Sequence, residues 1–113
     1  FMTQAITPKS TTNILVIEAV LLVSPSTTAY VSGALFQDAT ANAIAAGTVT
    51  PVTDYIYQLA VRHTMVAGTV SSTTFRVRAG MQTAGTTTFN GFSSGRLFGA
   101  ITKSNIKITE YKA

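Results

Sequence analysis

The stretch from Ile14 to Val23 (ILVIEAVLLV) is apolar at every position except Glu18. A membrane-spanning helix needs about 20 apolar residues, so this run is too short to cross a bilayer. Its Val and Ile content, followed by the turn signal Ser24-Pro25-Ser26, marks Asn13 to Val23 as a strand. Alternate side chains of a strand face opposite ways. Ile14, Val16, Val20 and Leu22 therefore share one face, and Leu15, Ile17, Leu21 and Val23 the other. Both faces are apolar, so the strand needs a core on one side and a second layer or subunit on the other.

Period-2 alternation rich in Thr, Val, Ile, Tyr and Phe continues along most of the chain. Ala29 to Phe36 reads as a strand, with Tyr30 and Phe36 on one face and Val31 and Leu35 on the other. Asp38 to Ala46 is open between a short helix and a loop-strand-loop; the Gly47, Thr48-Val49-Thr50 and Pro51 that follow favour the latter. Asp54 to Ala67 predicts a long strand with Tyr55, Tyr57, Leu59, Val61, His63 and Met65 on one face. Thr73 to Ala79 alternates with Phe75 and Val77 inward and Arg76 and Arg78 outward. Shorter strands are expected at Thr86 to Phe89, Arg96 to Ile101 and Asn105 to Tyr111, separated by glycine turns. About eight short strands spaced by turns predict an all-β fold, an antiparallel β-sandwich or jelly roll.

A chain of 113 residues is expected to form one domain over residues 1–113. Only 11% of its residues are charged, against about 25% in ordinary soluble domains. Part of the surface is therefore expected to face other copies of the chain in a symmetric oligomer. There is no cysteine to staple the fold or bind a metal as thiolate. No signal peptide is legible in FMTQAITPKS, and a start on Phe1 before Met2 reads as a fragment or processed product of a longer chain. The net charge of +4 comes from scattered Lys and Arg, with no basic stripe of the kind that follows a phosphate backbone. Nucleic acid is thus not an expected partner, and membrane insertion is not expected either.

Groups able to attack, donate or accept protons are few. His63, the single histidine, reads as a half-buried strand residue; a ring of three copies around a three-fold axis could instead hold a metal. Asp38 and Asp54 would be the pair for glycoside hydrolysis, but both sit where turn residues are expected. Glu18 and Glu110 are expected to pair with arginines. With no nucleophile elbow, phosphate-cradling loop or metal-ligand cluster, the chain is expected to have no catalytic residue, no metal and no cofactor.

Recognition chemistry remains. Phe89, Asn90, Phe92 and Arg96, among Gly91, Ser93, Ser94 and Gly95, place aromatic, amide and guanidinium groups in a turn-rich segment. Such groups suit carbohydrate, and they could equally be a turn and a core plug. The turn Asp38 to Asn42 and the segment Thr53-Asp54-Tyr55 are the next candidate binding loops.

The order of several weak motifs spans nearly the whole chain. These are ITPKSTTNILVIEA, Gly33-Ala34-Leu35-Phe36-Gln37-Asp38, Thr40-Ala41-Asn42-Ala43, Leu59 to Gly68, Ser71 to Gly80, Thr88-Phe89-Asn90-Gly91, Gly95-Arg96-Leu97-Phe98-Gly99 and Ser104 to Tyr111. In this order they resemble the C-terminal head domains of tailed-bacteriophage tail fibres. The resemblance implies a β-sandwich or jelly-roll head, assembled as a homotrimer and similar in outline to tumour-necrosis-factor and C1q heads. It places Tyr111 near the three-fold axis. It also implies a virion protein at the fibre tip, extracellular when it works, whose partners are its own copies and a host-surface receptor such as a glycan. Two other roles fit the same residues: a purely structural trimerisation, cap or decoration domain, and a secreted carbohydrate-binding module or adhesin.

Overall fold

A computed structural model describes residues 2–93 and 95–113; Phe1, and Ser94 of the turn-rich segment, lie outside the described residues. The elements are all strands apart from one 3-10 turn at Phe98–Ala100: β1 (Met2–Ile6), β2 (Ile14–Pro25), β3 (Val31–Gln37), β4 (Ala45–Val49), β5 (Tyr57–Val66), β6 (Thr73–Met81), β7 (Thr87–Phe89), β8 (Gly91–Phe92), β9 (Gly95–Arg96) and β10 (Asn105–Tyr111). Sheet I has the order β1-β6-β3-β4, and sheet II the order β10-β2-β5 with β7 also paired to β2. All pairings are antiparallel. The two sheets share one core, so the fold is all-β and sandwich-like.

Strand β2 is the axis of sheet II. Its inward row, Leu15, Ile17, Ala19, Leu21 and Val23, is buried to within 1% of completely. Opposite it stand Val31 and Leu35 of β3 and Phe75 and Val77 of β6, with Leu59 and Val61 of β5 beside it. The outward row is covered less: Val16 is buried, while Ile14, Val20 and Leu22 are half-buried. In register, the outer face reads Tyr111–Ile14–Val66, Thr109–Val16–Thr64, Lys107–Glu18–Arg62 and Asn105–Val20–Ala60 across β10, β2 and β5.

The strand runs past the expected turn, through Ser24 to Pro25. Pairing with β5 stops at Val23, while β7 pairs with Val23, Ser24 and Pro25 on the other flank. The missing N–H of Pro25 thus falls where the strand has only one neighbour, which is where a strand tolerates proline.

The sheets approach closely where β4 lies beside β5. Gly33 and Gly47 pair directly across β3 and β4, and Leu59 lies over both. A Cβ at Gly33 would stand 2.9 Å from Leu59 Cδ2, and one at Gly47 would stand 3.1 Å from Leu59 Cδ1. These two positions lack side chains because one leucine from the other sheet takes the space.

Two expectations change. The strand foreseen from Arg96 to Ile101 is instead the end of a short β8–β9 hairpin and a 3-10 turn. Phe98, Gly99 and Ala100 all have positive φ there, which no strand accommodates. The segment Asp38 to Ala46 is mostly turn, and its strand falls later, at Ala45–Val49.

Candidate functional site

A strand that packs one face on a core leaves its alternate residues outside, and on sheet I those residues build a trough. Along β3 the outward side chains are Ser32, Ala34 and Phe36, with Tyr30 just before the strand. Thr48 of β4 and Gly80 of β6 flank Ser32, and Arg78 of β6 flanks Ala34. The floor is small, and the large groups stand at its ends. Tyr30 is 48% exposed, and Gln82 donates its backbone N–H to the Tyr30 carbonyl (3.0 Å). At the other end the Arg78 guanidinium lies over the Phe36 ring, 5.2 Å from its centroid. The Ser32 and Thr48 hydroxyls bond each other across the strands at 2.9 Å. The trough is a shallow depression of about 560 Å³, widely open to solvent, with Met81 and Gln82 on its rim. A Cβ on Gly80 would meet nothing within 4 Å.

The sequence-predicted residues fall elsewhere. Phe89, Asn90, Phe92 and Arg96 lie along the flank of β2, where β7 pairs with it and the chain then loops out to β10. Asn90 has positive φ and acts as a clasp. Its N–H bonds the Leu22 carbonyl (2.9 Å), and its Oδ1 accepts from Ser104 Oγ (2.8 Å). Ser104 Oγ in turn accepts the Leu22 N–H (3.0 Å). Arg96 donates to the carbonyls of Ala100 (3.3 Å) and Thr102 (3.2 Å), holding its own loop. Phe89 packs on the core and Phe92 is exposed. In this segment Phe98 and Ile101 are the most open apolar side chains, 76% and 78% exposed.

Asp54 and Tyr55 sit at the tip that precedes β5, on the flank of β2 opposite β7; the Asp54 N–H bonds the Pro25 carbonyl (3.0 Å). Asp38 and Asn42 occupy the β3–β4 turn at the far end of the sandwich. Both Asp38 oxygens are engaged: Oδ1 accepts from the Thr74 N–H (2.8 Å), Oδ2 from the Thr73 hydroxyl (2.9 Å). Strand β3 therefore separates the two aspartates, and they do not converge as a hydrolytic pair. His63 pairs with Ile17 on the inner side of sheet II and is half-buried, away from either outer face.

Glu18 meets Arg62 at 3.7 Å, as expected. Among the described residues Glu110 pairs with no arginine. Its Oε1 accepts from Asn13 Nδ2 (2.7 Å) and the Lys9 N–H (2.8 Å), at a polar pocket also lined by Lys112. The Asn13 amide, then the Lys9 N–H, hold the carboxyl below its usual value. Among the described residues no group of three or more His, Cys, Asp or Glu could hold a metal, and no helix is long and apolar enough to cross a membrane.

No protein-family model matches the chain, and no curated protein matches it.

The trough is the feature the sequence reading missed as a site. Its signals were present: Tyr30 and Phe36 share a face, with only small residues between them, and Arg76 and Arg78 point outward. What sequence did not supply was that β6 lies beside β3.

Proposed function

We propose that this chain is a receptor-binding head, a jelly-roll-like domain that assembles as a homotrimer at a phage fibre tip and grips a host-surface glycan. The observation that carries the reading is the outer face of sheet II. There a central strand presents Ile14, Val20 and Leu22 half-buried around a buried Val16, and Val66 and Tyr111 stand exposed at one end of the same face. A face with two apolar patches of this kind is suited to another copy of the chain. The row Lys107–Glu18–Arg62 crosses it and can fix the angle at which copies meet. The motif order supports the fibre-head assignment, and trimeric display multiplies weak sites into firm attachment.

The test combines mass with cell binding. Light scattering should give 35.7 kDa, three chains of 11.9 kDa, and labelled protein should bind host cells. A stable 11.9 kDa monomer refutes assembly. The same outer face favours a second reading, an assembly module with no receptor; trimers that ignore cells and their envelope glycans would establish it.

A further inference from the structure

We infer that the trough on sheet I binds an anionic oligosaccharide, lying along β3 from Tyr30 to Phe36. This rests on the receptor-head reading and gives it a site and a ligand class. The argument begins with shape. Six strand steps separate Tyr30 from Phe36, about 20 Å at ~3.3 Å each, so the trough is long enough for several linked rings. Its floor of Ser32, Ala34 and Gly80 lets a flat, extended molecule approach the sheet. Sugar rings are amphipathic: their C–H faces stack on aromatic rings, and their edges are hydroxyls. Here an open tyrosine stands at one end as the stacking platform, a phenylalanine capped by the Arg78 guanidinium at the other, and a hydroxyl pair lies between them.

Charge selects the class. Arg76 and Arg78 both point outward from β6, and no carboxylate lines the trough. Beyond Phe36, Asp38 lies with Arg76 and Arg78. Its oxygens are held by Thr73 and Thr74 but keep their charge. Two positive groups and one negative leave a single net positive charge, carried into the trough by Arg78. The face is therefore electropositive and complements a uronate, sialate or phosphate-substituted glycan. A second copy of the chain would gain little here, because the floor residues Ser32, Ala34 and Gly80 are small and packing over them would strip water from Arg78. Two arginines are also too few to track a nucleic-acid backbone.

The probe is a glycan array carrying uronate, sialylated and phosphate-substituted oligosaccharides beside neutral counterparts, with a single-stranded oligonucleotide included. Wild-type protein should bind acidic members at least tenfold better than neutral ones and the oligonucleotide, and more weakly as salt rises. Gly80→Val fills the trough where a side chain meets nothing, and should lose binding at least tenfold with unchanged circular dichroism and mass. Arg78→Gln should erase the preference for acidic over neutral members. In amide chemical-shift mapping, the bound glycan should move Ser32, Ala34, Thr48 and Gly80.

Wild-type binding that Gly80→Val leaves intact, or shifts confined to other loops, overturns the trough while leaving the receptor head standing. Equal binding of neutral glycans overturns the ligand class, and tighter binding of the oligonucleotide overturns it in favour of nucleic acid. Binding to cells without binding to any array member also rejects the inference alone. Failure on both cells and array removes the receptor reading with it.

Discussion

Leu59 and Gly33 give a prediction whose sign depends on background. Leu59 is 4% exposed, and its two methyls stand 2.9 and 3.1 Å from where Cβ atoms of Gly33 and Gly47 would be. Leu59→Ala removes three carbons, about 2.4 kcal/mol of transfer free energy at ~0.8 per carbon. The cavity left behind raises the expected loss to about 3.5 kcal/mol, within the usual range for buried leucine. Gly33→Ala alone should cost about 1.5 kcal/mol, because its Cβ arrives 2.9 Å from Leu59 Cδ2. With Leu59 truncated, the nearest remaining group is Leu21 Cδ2 at 3.4 Å, an ordinary contact. The new methyl then fills part of the cavity, and the alanine also reduces the freedom of the unfolded chain. Gly33→Ala should therefore destabilise the wild type but stabilise Leu59→Ala by about 0.5–1 kcal/mol, a coupling of about 2 kcal/mol. Urea unfolding followed by far-ultraviolet circular dichroism measures it, at one protomer concentration so that assembly contributes equally. If Gly33→Ala costs the same in both backgrounds to within about 0.5 kcal/mol, the close approach of the sheets at Leu59 is wrong.

Glu110 has a folded pKa depressed below 4.5 by Asn13 and Lys9, so its stabilising contribution is present above that value and is lost as pH falls through the folded pKa. Glu110→Gln should melt lower than wild type at neutral pH, and the gap should close in acid; a gap that is constant with pH contradicts this. Gly91→Ala places a Cβ into the Gly95 carbonyl and should open the β8–β9 hairpin at a cost of about 1–3 kcal/mol, seen as faster amide exchange from Gly91 to Leu97 while β2 and β5 stay protected. Val20→Asp on the outer face of sheet II should reduce the scattering mass from 35.7 to 11.9 kDa with the strand signal retained; an unchanged mass moves the interface off that face.

Faces were easier to read than neighbours. Period-2 alternation assigned Phe75 and Val77 inward and Arg76 and Arg78 outward, and the structure agrees. It also gave β2 two apolar faces, since aliphatic side chains on both parities are visible without any partner. Strand β1 escaped notice: Gln4 stands at an inward register position opposite Phe75, which blurs the alternation of this edge strand. The segment after Arg96 misled because Leu97, Phe98 and Ile101 resemble strand residues, whereas positive φ at Phe98, Gly99 and Ala100 is a backbone property that composition hardly signals. The candidate site was hidden for a different reason. Its residues come from β3, β4 and β6, and only pairing of β3 with β6, some 40 residues apart in the chain, joins them. Asn90 and Arg96 look like recognition groups in sequence because nothing there reveals that the Asn90 N–H and Oδ1 are engaged by Leu22 and Ser104, or that Arg96 Nη2 is held by the carbonyls of Ala100 and Thr102.

The position of β2 at the centre of sheet II also sets an order of events during synthesis. This strand emerges early, but its neighbours come later: β5 begins at Tyr57, β7 at Thr87 and β10 at Asn105. Until Tyr57–Val66 arrives, an aliphatic strand waits with both edges open, and until the last strand arrives its Ile14–Val20 flank still offers unpaired N–H and C=O groups. A bare apolar edge is a template for pairing with another chain. The same strand that organises the finished sheet is thus the point at which an incomplete chain is most exposed to aggregation, and chains ending before Asn105 should accumulate as insoluble material.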